Sequence, residues 1–353
     1  MIYKNNKPTI ADIAKSVGVS KTTISHYLNG KFGYMSEETR KRIESTINMA
    51  NYQPNNVARS LKSQKSKLIG VVMADIENPF SSSIIKGAGD TLHAAGYNVI
   101  IASSNNDFEK EKEYVTSLIS QRIDGLIVNT ISQYNPFLIN LANQGLPIVL
   151  ADRLIMDYNF DIAHIENRLS IFSAVEHLFD KGYQRVALFI QPFECISPRY
   201  QRRDAFIEKL NELGISDPEK YVFVVDPGNT ASITEATKKL LEMCRNDGTP
   251  PAILTSNEIT LLHIVNTIRI LGLKMPTELG LCGFDDWGWN PGMIWPSIIQ
   301  PGITTLSVQS HNLGKITAEL LLDRIADPHT PKKCISLPCE LVVRGSTMLK
   351  CQK

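Results

Sequence analysis

The sequence predicts an α/β chain: two doubly wound parallel-sheet subdomains preceded by a small all-α domain. Three observations predict it. From Leu68 onward, short apolar runs bounded by Gly, Pro, Asn and Asp alternate with helix-length segments, the pattern of a parallel sheet buried on both faces. The alternation occurs twice in tandem. In the first 50 residues, by contrast, apolar residues recur with the 3.6-residue period of short amphipathic helices.

The head comes first, in "KPTIADIAKSVGVSKTTISHYLNGK" (7–31). Thr9 with Asp12 three residues on is a capping-box start, and Ile10, Ile13, Ala14 and Val17 form one face of a helix that Gly18 ends. Ser20 caps a second helix over about Lys21 to Leu28, which Asn29-Gly30 terminates. Ile24 and Leu28 share its apolar face, leaving Lys21, Thr22, Ser25 and His26 turned outward, a row of hydrogen-bonding groups without a carboxylate. Ser36 caps a third helix, with Glu37 and Glu38 in its first turn and Ile43, Ile47 and Ala50 as its stripe. This arrangement matches a helix-turn-helix, whose second helix enters the DNA major groove. A helical subdomain with a merely solvated polar face would show the same pattern, and charge separates the two. Residues 1–67 carry 12 Lys and Arg against 4 Asp and Glu, a net of +8, while the remainder carries 25 against 32, a net of −7. A basic head on an acidic body is what phosphate neutralisation requires.

Next comes "NYQPNNVARSLKSQKSK" (51–67). Pro54 breaks the third helix, and Asn55 can cap a stretch from Asn56 to Ser63 with Val57, Ala58 and Leu61 on one side. Isolated helices under about 12 residues are marginal in water, so this one is expected to fold only against a second copy and DNA.

The first α/β unit is read from "LIGVVMAD" (68–75), "YNVIIAS" (97–103), "GLIVNT" (125–130) and "LPIVLAD" (146–152), with helices near 80–95 and 109–121. The second is read from "RVALFIQ" (185–191), "YVFVVD" (221–226), "PAILTSN" (251–257) and "LGLCGFDD" (279–286), with helices near 202–213, 234–244 and 260–271. Open parallel sheets bind ligands at the carboxyl ends of their strands. There the polar residues collect: Asp75, Asn78, Ser103, Asn129, Asp152, Arg153, Asn257 and Asp285-Asp286 each follow directly on an apolar run. Any one of them can be a turn or cap residue. As a set they read as a polyol-binding cleft, where amides and carboxylates satisfy hydroxyls.

Other classes lack their signals. There is no G-x-G-x-x-G in the first βα turn, no G-x-x-x-x-G-K-[ST], no G-x-S-x-G and no metal-ligand spacing among the seven histidines, so an enzyme is not expected, nor any cofactor or metal. Six cysteines without a CxxC are expected to be reduced. The chain shows neither a signal-peptide run nor an apolar stretch of about 18 residues, so cytoplasmic, nucleoid-associated placement without membrane contact is expected. An exported sugar-binding protein would share the body but would have no use for residues 1–67.

Along nearly its whole length the chain resembles the lac-repressor family of bacterial transcription regulators. The resemblance rests on "TIADIAKSVGVSKTTISHYLNG", "MSEETRKRI", "NYQPNNVARSL", "LIGVVMADIENPF", "GFDD" and "GITTL". It implies a periplasmic-binding-protein-like body, no enzymatic activity, a homodimer on a pseudo-palindromic operator, and a sugar or sugar-acid effector. It places Lys21, Thr22 and His26 at base-reading positions and Leu61 at the minor-groove wedge, with Thr9, Ser20, Thr23, Ser25, Asn29, Tyr34, Asn55, Val57 and Ala58 completing the DNA-contacting set. It also implies effector contacts at Phe80, Asn129, Asp152, Arg202, Asn257 and Asp285, to which strand-end position adds Asp75 and a shared helix face adds Arg199. Three positions depart from the pattern: His26 replaces a commoner arginine, Ala205 a glycine and Val308 a glutamine. Neutral imidazole cannot make the bidentate fork to guanine, so the usual operator is not expected. Arg199, Arg202 and Arg203 put three guanidiniums in five residues, at least two of which can approach one anionic ligand, and together with "GFDDWGWNPGM" and "MSEETRKRI" this resembles the sugar-acid branch, such as 2-keto-3-deoxygluconate-responsive repressors.

The expected boundaries are 1–51 for the DNA-binding domain, 52–67 for hinge helix and linker, and 68–345 for the effector and dimerisation domain. Within the last, 68–165 plus 295–326 form one subdomain and 166–290 plus 327–345 the other, with the "GITTL" strand and a helix over 310–326 in the first and "KKCISLPCELVVRG" (332–345) in the second. No heptad pattern follows residue 345, which favours a dimer over a coiled-coil tetramer.

Overall fold

The computed structural model describes residues 8–52, 65–288 and 293–349, in two units, Met1–Ser66 and Lys67–Lys353. The expected minor-groove residues Asn55, Val57, Ala58 and Leu61 lie outside the described residues.

In the first unit, α1 (Ile10–Val17), α2 (Lys21–Leu28) and α3 (Glu37–Met49) form where the caps predict. Thr9 accepts from the Asp12 amide while the Asp12 carboxylate accepts from the Thr9 amide at 2.8 Å, a reciprocal capping box. Gly18 ends α1 at φ +75°, a left-handed conformation that side chains with a Cβ resist. Ile13, Ala14, Val17, Ile24, Ile43 and Tyr52 make the core. The Arg42 guanidinium donates to the Val17 carbonyl, tying the end of α1 to α3.

The second unit holds two six-stranded sheets. The first contains β1 (Leu68–Met73), β2 (Asn98–Ser103), β3 (Gly125–Val128), β4 (Ile148–Ala151) and β5 (Asp161–Ile165). The second contains β6 (Val186–Ile190), β7 (Val222–Val224), β8 (Ala252–Thr255), β9 (Gly280–Phe284) and β10 (Thr304–Ser307). Each sheet gains one more strand from the chain's last passage: β11 (Cys334–Leu337) beside β5, and β12 (Glu340–Val342) beside β10. The orders are β11-β5-β4-β3-β1-β2 and β12-β10-β9-β8-β6-β7, parallel except for β12. Successive side chains leave a strand on opposite faces, so Val72 joins one buried layer with Val115 and Leu138 while Val71 and Met73 join the other.

Around the first sheet lie α4 (Pro79–Ala94), α5 (Phe108–Ser120) and α6 (Pro136–Asn143); around the second lie α7 (Arg168–Asp180), α8 (Ser197–Glu212), α9 (Thr230–Met243), α10 (Glu258–Leu271) and the short α11 (Trp295–Ile298). The last helix, α12 (Ser310–Ala326), crosses back to pack on α4. The two backbones touch there. A Cβ on Gly87 would stand 2.0 Å from the His311 carbonyl oxygen, and one on Gly314 2.0 Å from that of Ile84. The buried pair Arg324 and Asp161, 2.8 Å apart, fastens the far end of α12 to β5.

The chain therefore passes between the sheets three times, at 166–167, 308–309 and 338–339. This corrects the expected partition. The "GITTL" strand belongs to the second sheet, parallel to β9, although the helix after it does return to the first. The segment 332–345 does not close one sheet; β11 pairs with β5 and only β12 with β10. β5 went unread because Asp161 and His164 interrupt its apolar run. Among the described residues no helix is long and apolar enough to cross a membrane, and no group of three or more His, Cys, Asp or Glu is placed to hold a metal ion.

Candidate functional sites

In the head, the outward row of α2 begins at a helix N-terminus, whose amides and dipole favour a phosphate. Lys21 and Thr22 are exposed there. Ser20 and Thr23 are occupied with each other, the Ser20 hydroxyl accepting from the Thr23 amide at 3.1 Å. Asn29 Nδ2 turns back to the Ser25 carbonyl at 2.8 Å, and Thr9 is held in its capping box. His26 packs against the largely exposed Tyr34, ring centroids 4.5 Å apart, so the two rings present one aromatic edge.

In the second unit the strand ends of the two sheets converge on α8, which starts at Ser197, one turn earlier than expected, and so carries Arg199 as well as Arg202. Arg202 is 7% exposed. Its Nε donates to Asn167 Oδ1 at 2.8 Å, its Nη1 to the Ser256 carbonyl, and its guanidinium lies 3.5 Å from the centre of the Phe284 ring. Arg202 thus joins β8, β9 and the first inter-sheet passage, where Asn167 sits. Arg199 donates to the Pro192 carbonyl at 2.8 Å. Burial, reinforced by Arg153 and Arg202, pushes the Arg199 guanidinium down to about 9. Arg153 follows β4 and donates to the Thr130 carbonyl at 3.1 Å; burial lowers it too, against the pull of Asp152. Arg203, by contrast, turns to Asp204 and Glu219.

The acids divide. Burial raises the Asp152 carboxyl, with Arg202 opposing, and Asp152 Oδ1 accepts from the Ile165 amide at 3.3 Å. Asp285, at φ +75°, ends β9 beside Glu258, which is 1% exposed. Burial, then the neighbouring Asp285, raise the Glu258 carboxyl well above the usual range, because two adjacent buried carboxyls cannot both ionise. Others of the expected set serve the backbone. Asn257 caps α10, accepting from the Thr260 amide at 2.9 Å, and donates to Gln191 at 2.8 Å. Asn129 donates to the Ala151 carbonyl at 2.7 Å, Asp75 accepts from the Glu77 amide at 3.0 Å, and Phe80 is half-buried against the core.

Direct bonds bridge the two subdomains beside these arginines. Gln133 donates from its amide and side chain to the Cys195 and Glu194 carbonyls at 3.1 and 3.0 Å, and the Leu154 amide to Ser197 Oγ at 2.7 Å. Below them the buried Glu111 accepts from Thr130, Asn135 and the Ile131 amide, holding the loop that bears Gln133. The reading of the sequence missed Glu258, Asn167 and Glu111 as site residues, although Glu258 directly follows the "TSN" strand end. Three guanidiniums from two subdomains thus lie close enough to repel one another, and none has a carboxylate within 4.0 Å among the described residues. Each uses only one or two of its five N–H donors on the protein.

Comparison with known proteins gives two family matches: "Bacterial regulatory proteins, lacI family" over residues 9–55, and "Periplasmic binding protein-like domain" over 175–347. The HTH-type transcriptional regulator KdgR of Bacillus subtilis is 34% identical over 349 residues, 96% of this chain and 97% of that protein. The regulator PtxS of Pseudomonas putida is 30% identical, covering 98% and 97%. Among solved structures, a lac repressor dimer bound to operator and an anti-inducer superposes with a TM-score of 0.82 over 97% of this chain and 100% of that one at 24% identity, a likeness of fold.

Proposed function

The chain belongs to the lacI family of bacterial regulatory proteins, a DNA-binding transcriptional regulator, and from that premise we propose that it is a repressor released or recruited by a sugar acid. The observation that carries the effector class is the set of Arg153, Arg199 and Arg202 without carboxylate partners. A neutral sugar would leave these guanidiniums with the longer-range pull of Asp152, Glu111 and Glu258 alone and no direct ion pair, whereas a carboxylate accepts bidentate, charge-assisted hydrogen bonds from them. The strand-end acids and amides suit the hydroxyls of the same molecule, and 2-keto-3-deoxygluconate and its near relatives have that composition.

Two copies pair through their bodies, and each α2 reads one half-site of a pseudo-palindromic operator with Lys21, Thr22 and His26. Residues 1–51, 52–67 and 68–345 serve as reader, connector and sensor, and Asn55, Val57, Ala58 and Leu61 of the connector meet the minor groove. The sensor begins at Lys67, whose amide donates to Asp124 at 3.0 Å, so the chain enters the sensor on the first subdomain. A ligand that binds one cleft angle better than another moves the first subdomain, and with it the spacing of the two heads. Only that differential affinity can shift the equilibrium, and a coupling of about 1–3 kcal/mol is typical.

Fluorescence anisotropy of an operator duplex, titrated with the full chain and then with sugar acids and neutral sugars, tests this. Retention of the duplex at low ionic strength, with an affinity changed by the acids and not by glucose or ribose, is expected. An affinity indifferent to every acid overturns the effector assignment.

A further inference from the structure

We propose that Glu258 is a specificity-determining residue of the cleft, its carboxylic acid meeting a hydroxyl or keto oxygen of the same ligand whose carboxylate the arginines hold. The inference rests on the sugar-acid reading above.

Its position is the first argument. Glu258 is the first residue of α10, where an acidic side chain ordinarily turns outward and still gains from the helix dipole. Here it turns inward until 1% is exposed, against Asp285 at the end of β9, with Arg199 and Arg202 of α8 acting on it from the facing helix. The Thr260 amide is already capped by Asn257, so that cap does not draw Glu258 inward.

Its unmet bonding is the second. Glu258 Oε1 is buried without a hydrogen-bond partner among the described residues, and so are the hydroxyls of Thr255, Ser256 and Thr260 around it. A buried polar atom left unsatisfied is costly, and native chains keep such atoms where something else completes them. Four in one βα turn, beside three guanidiniums that also keep unspent donors, mark the polar half of a ligand site. Burial and the adjacent Asp285 favour the neutral acid at Glu258, which has one O–H and one carbonyl oxygen, and the oxygen not engaged with Asp285 is left for the ligand. A polyhydroxylated acid uses both halves. A simple carboxylate such as propionate uses only the arginines.

The test is calorimetric titration of the full chain and two variants, Glu258→Gln and Glu258→Met, with 2-keto-3-deoxygluconate, D-gluconate and propionate, folding being checked by circular dichroism and melting. Glutamine is neutral and keeps a donor and an acceptor, so Glu258→Gln should bind the sugar acids within about threefold of the parent, whereas Glu258→Met should lose about 30-fold or more, the scale of a ligand bond removed from a buried site. Propionate should bind all three proteins equally weakly. A Glu258→Met protein that binds sugar acids like the parent overturns the proposal and leaves the sugar-acid reading standing. So does a Glu258→Gln protein as impaired as Glu258→Met, because an ionised carboxylate would then be what the ligand needs. Failure of the parent itself to bind either sugar acid overturns both.

Discussion

Replacing Arg202 with methionine removes a charge and keeps an apolar stem against Phe284. Arg202 spends its Nε and one Nη1 hydrogen on Asn167 and Ser256, leaving three of its five N–H groups for a ligand. A hydrogen bond to a charged group contributes about 1.5–3 kcal/mol, so two of them to a carboxylate amount to about 3 kcal/mol or more, which is about two decades in Kd. A thermal-shift assay turns this into temperature. At ligand near 100 times the parental Kd, the parent should gain about 2.7 kcal/mol, or about 5–10 °C at some 2–4 °C per kcal/mol. The variant, its Kd raised about a hundredfold to meet that ligand concentration, should gain only about 0.4 kcal/mol and shift by about 1 °C. Arg203→Met, which breaks contacts with Asp204 and Glu219 instead, should keep the parental shift. An Arg202→Met protein stabilised by sugar acid as much as the parent refutes the assignment of the cleft.

Glu258 also predicts a pH dependence of stability. Its carboxyl is raised in the folded state above its ordinary value of 4.5, so the stability tied to its proton is complete below 4.5 and is lost as pH rises through the folded-state value. Glu258→Gln cannot titrate; its stability relative to the parent, from urea melts between pH 4.5 and 8, should climb with pH, and a constant difference would contradict a retained proton. Gly314→Ala drives a methyl to 2.0 Å from the Ile84 carbonyl oxygen, so α4 and α12 must separate; a loss of about 3 kcal/mol in denaturant melts is expected, and an unchanged midpoint would deny the backbone contact. His26→Arg should move operator preference toward guanine at one position of each half-site by about 1–3 kcal/mol in binding-site selection, and an unaltered preference would remove residue 26 from base reading.

The parts legible in the sequence were those fixed by neighbours in the chain. Thr9 and Asp12, Ser20 and Thr23, and Ser36 and Thr39 all cap as read, because a cap needs only its own helix. The last passage of the chain was misassigned because the choice between two sheets is made by pairing partners far away: Cys334 lies beside Ile162 and Thr304 beside Cys282, and neither segment's own pattern names its neighbour. In the candidate site, Arg202 was proposed from the family resemblance and Arg199 from sharing its helix face, and both lie on α8. Arg203 is equally basic and was separated from them only by Asp204 and Glu219. Glu258 was illegible for a different reason: a glutamate in a helix's first turn satisfies the dipole so well that nothing local hints it is turned inward. Asn257 shows the converse, a strand-end amide placed in the cleft by its position whose carbonyl is spent on capping α10.

The three passages at 166–167, 308–309 and 338–339 restrict how the body can move. Two of them are laced together where the Glu166 amide donates to the Leu337 carbonyl at 2.8 Å. Shearing or twisting one lobe against the other would pull these strands by unequal amounts, whereas folding about the line they share strains them alike. Three parallel straps of this kind favour opening and closing of the lobes over sliding, so a molecule held in the gap acts mainly on how far apart the lobes stand.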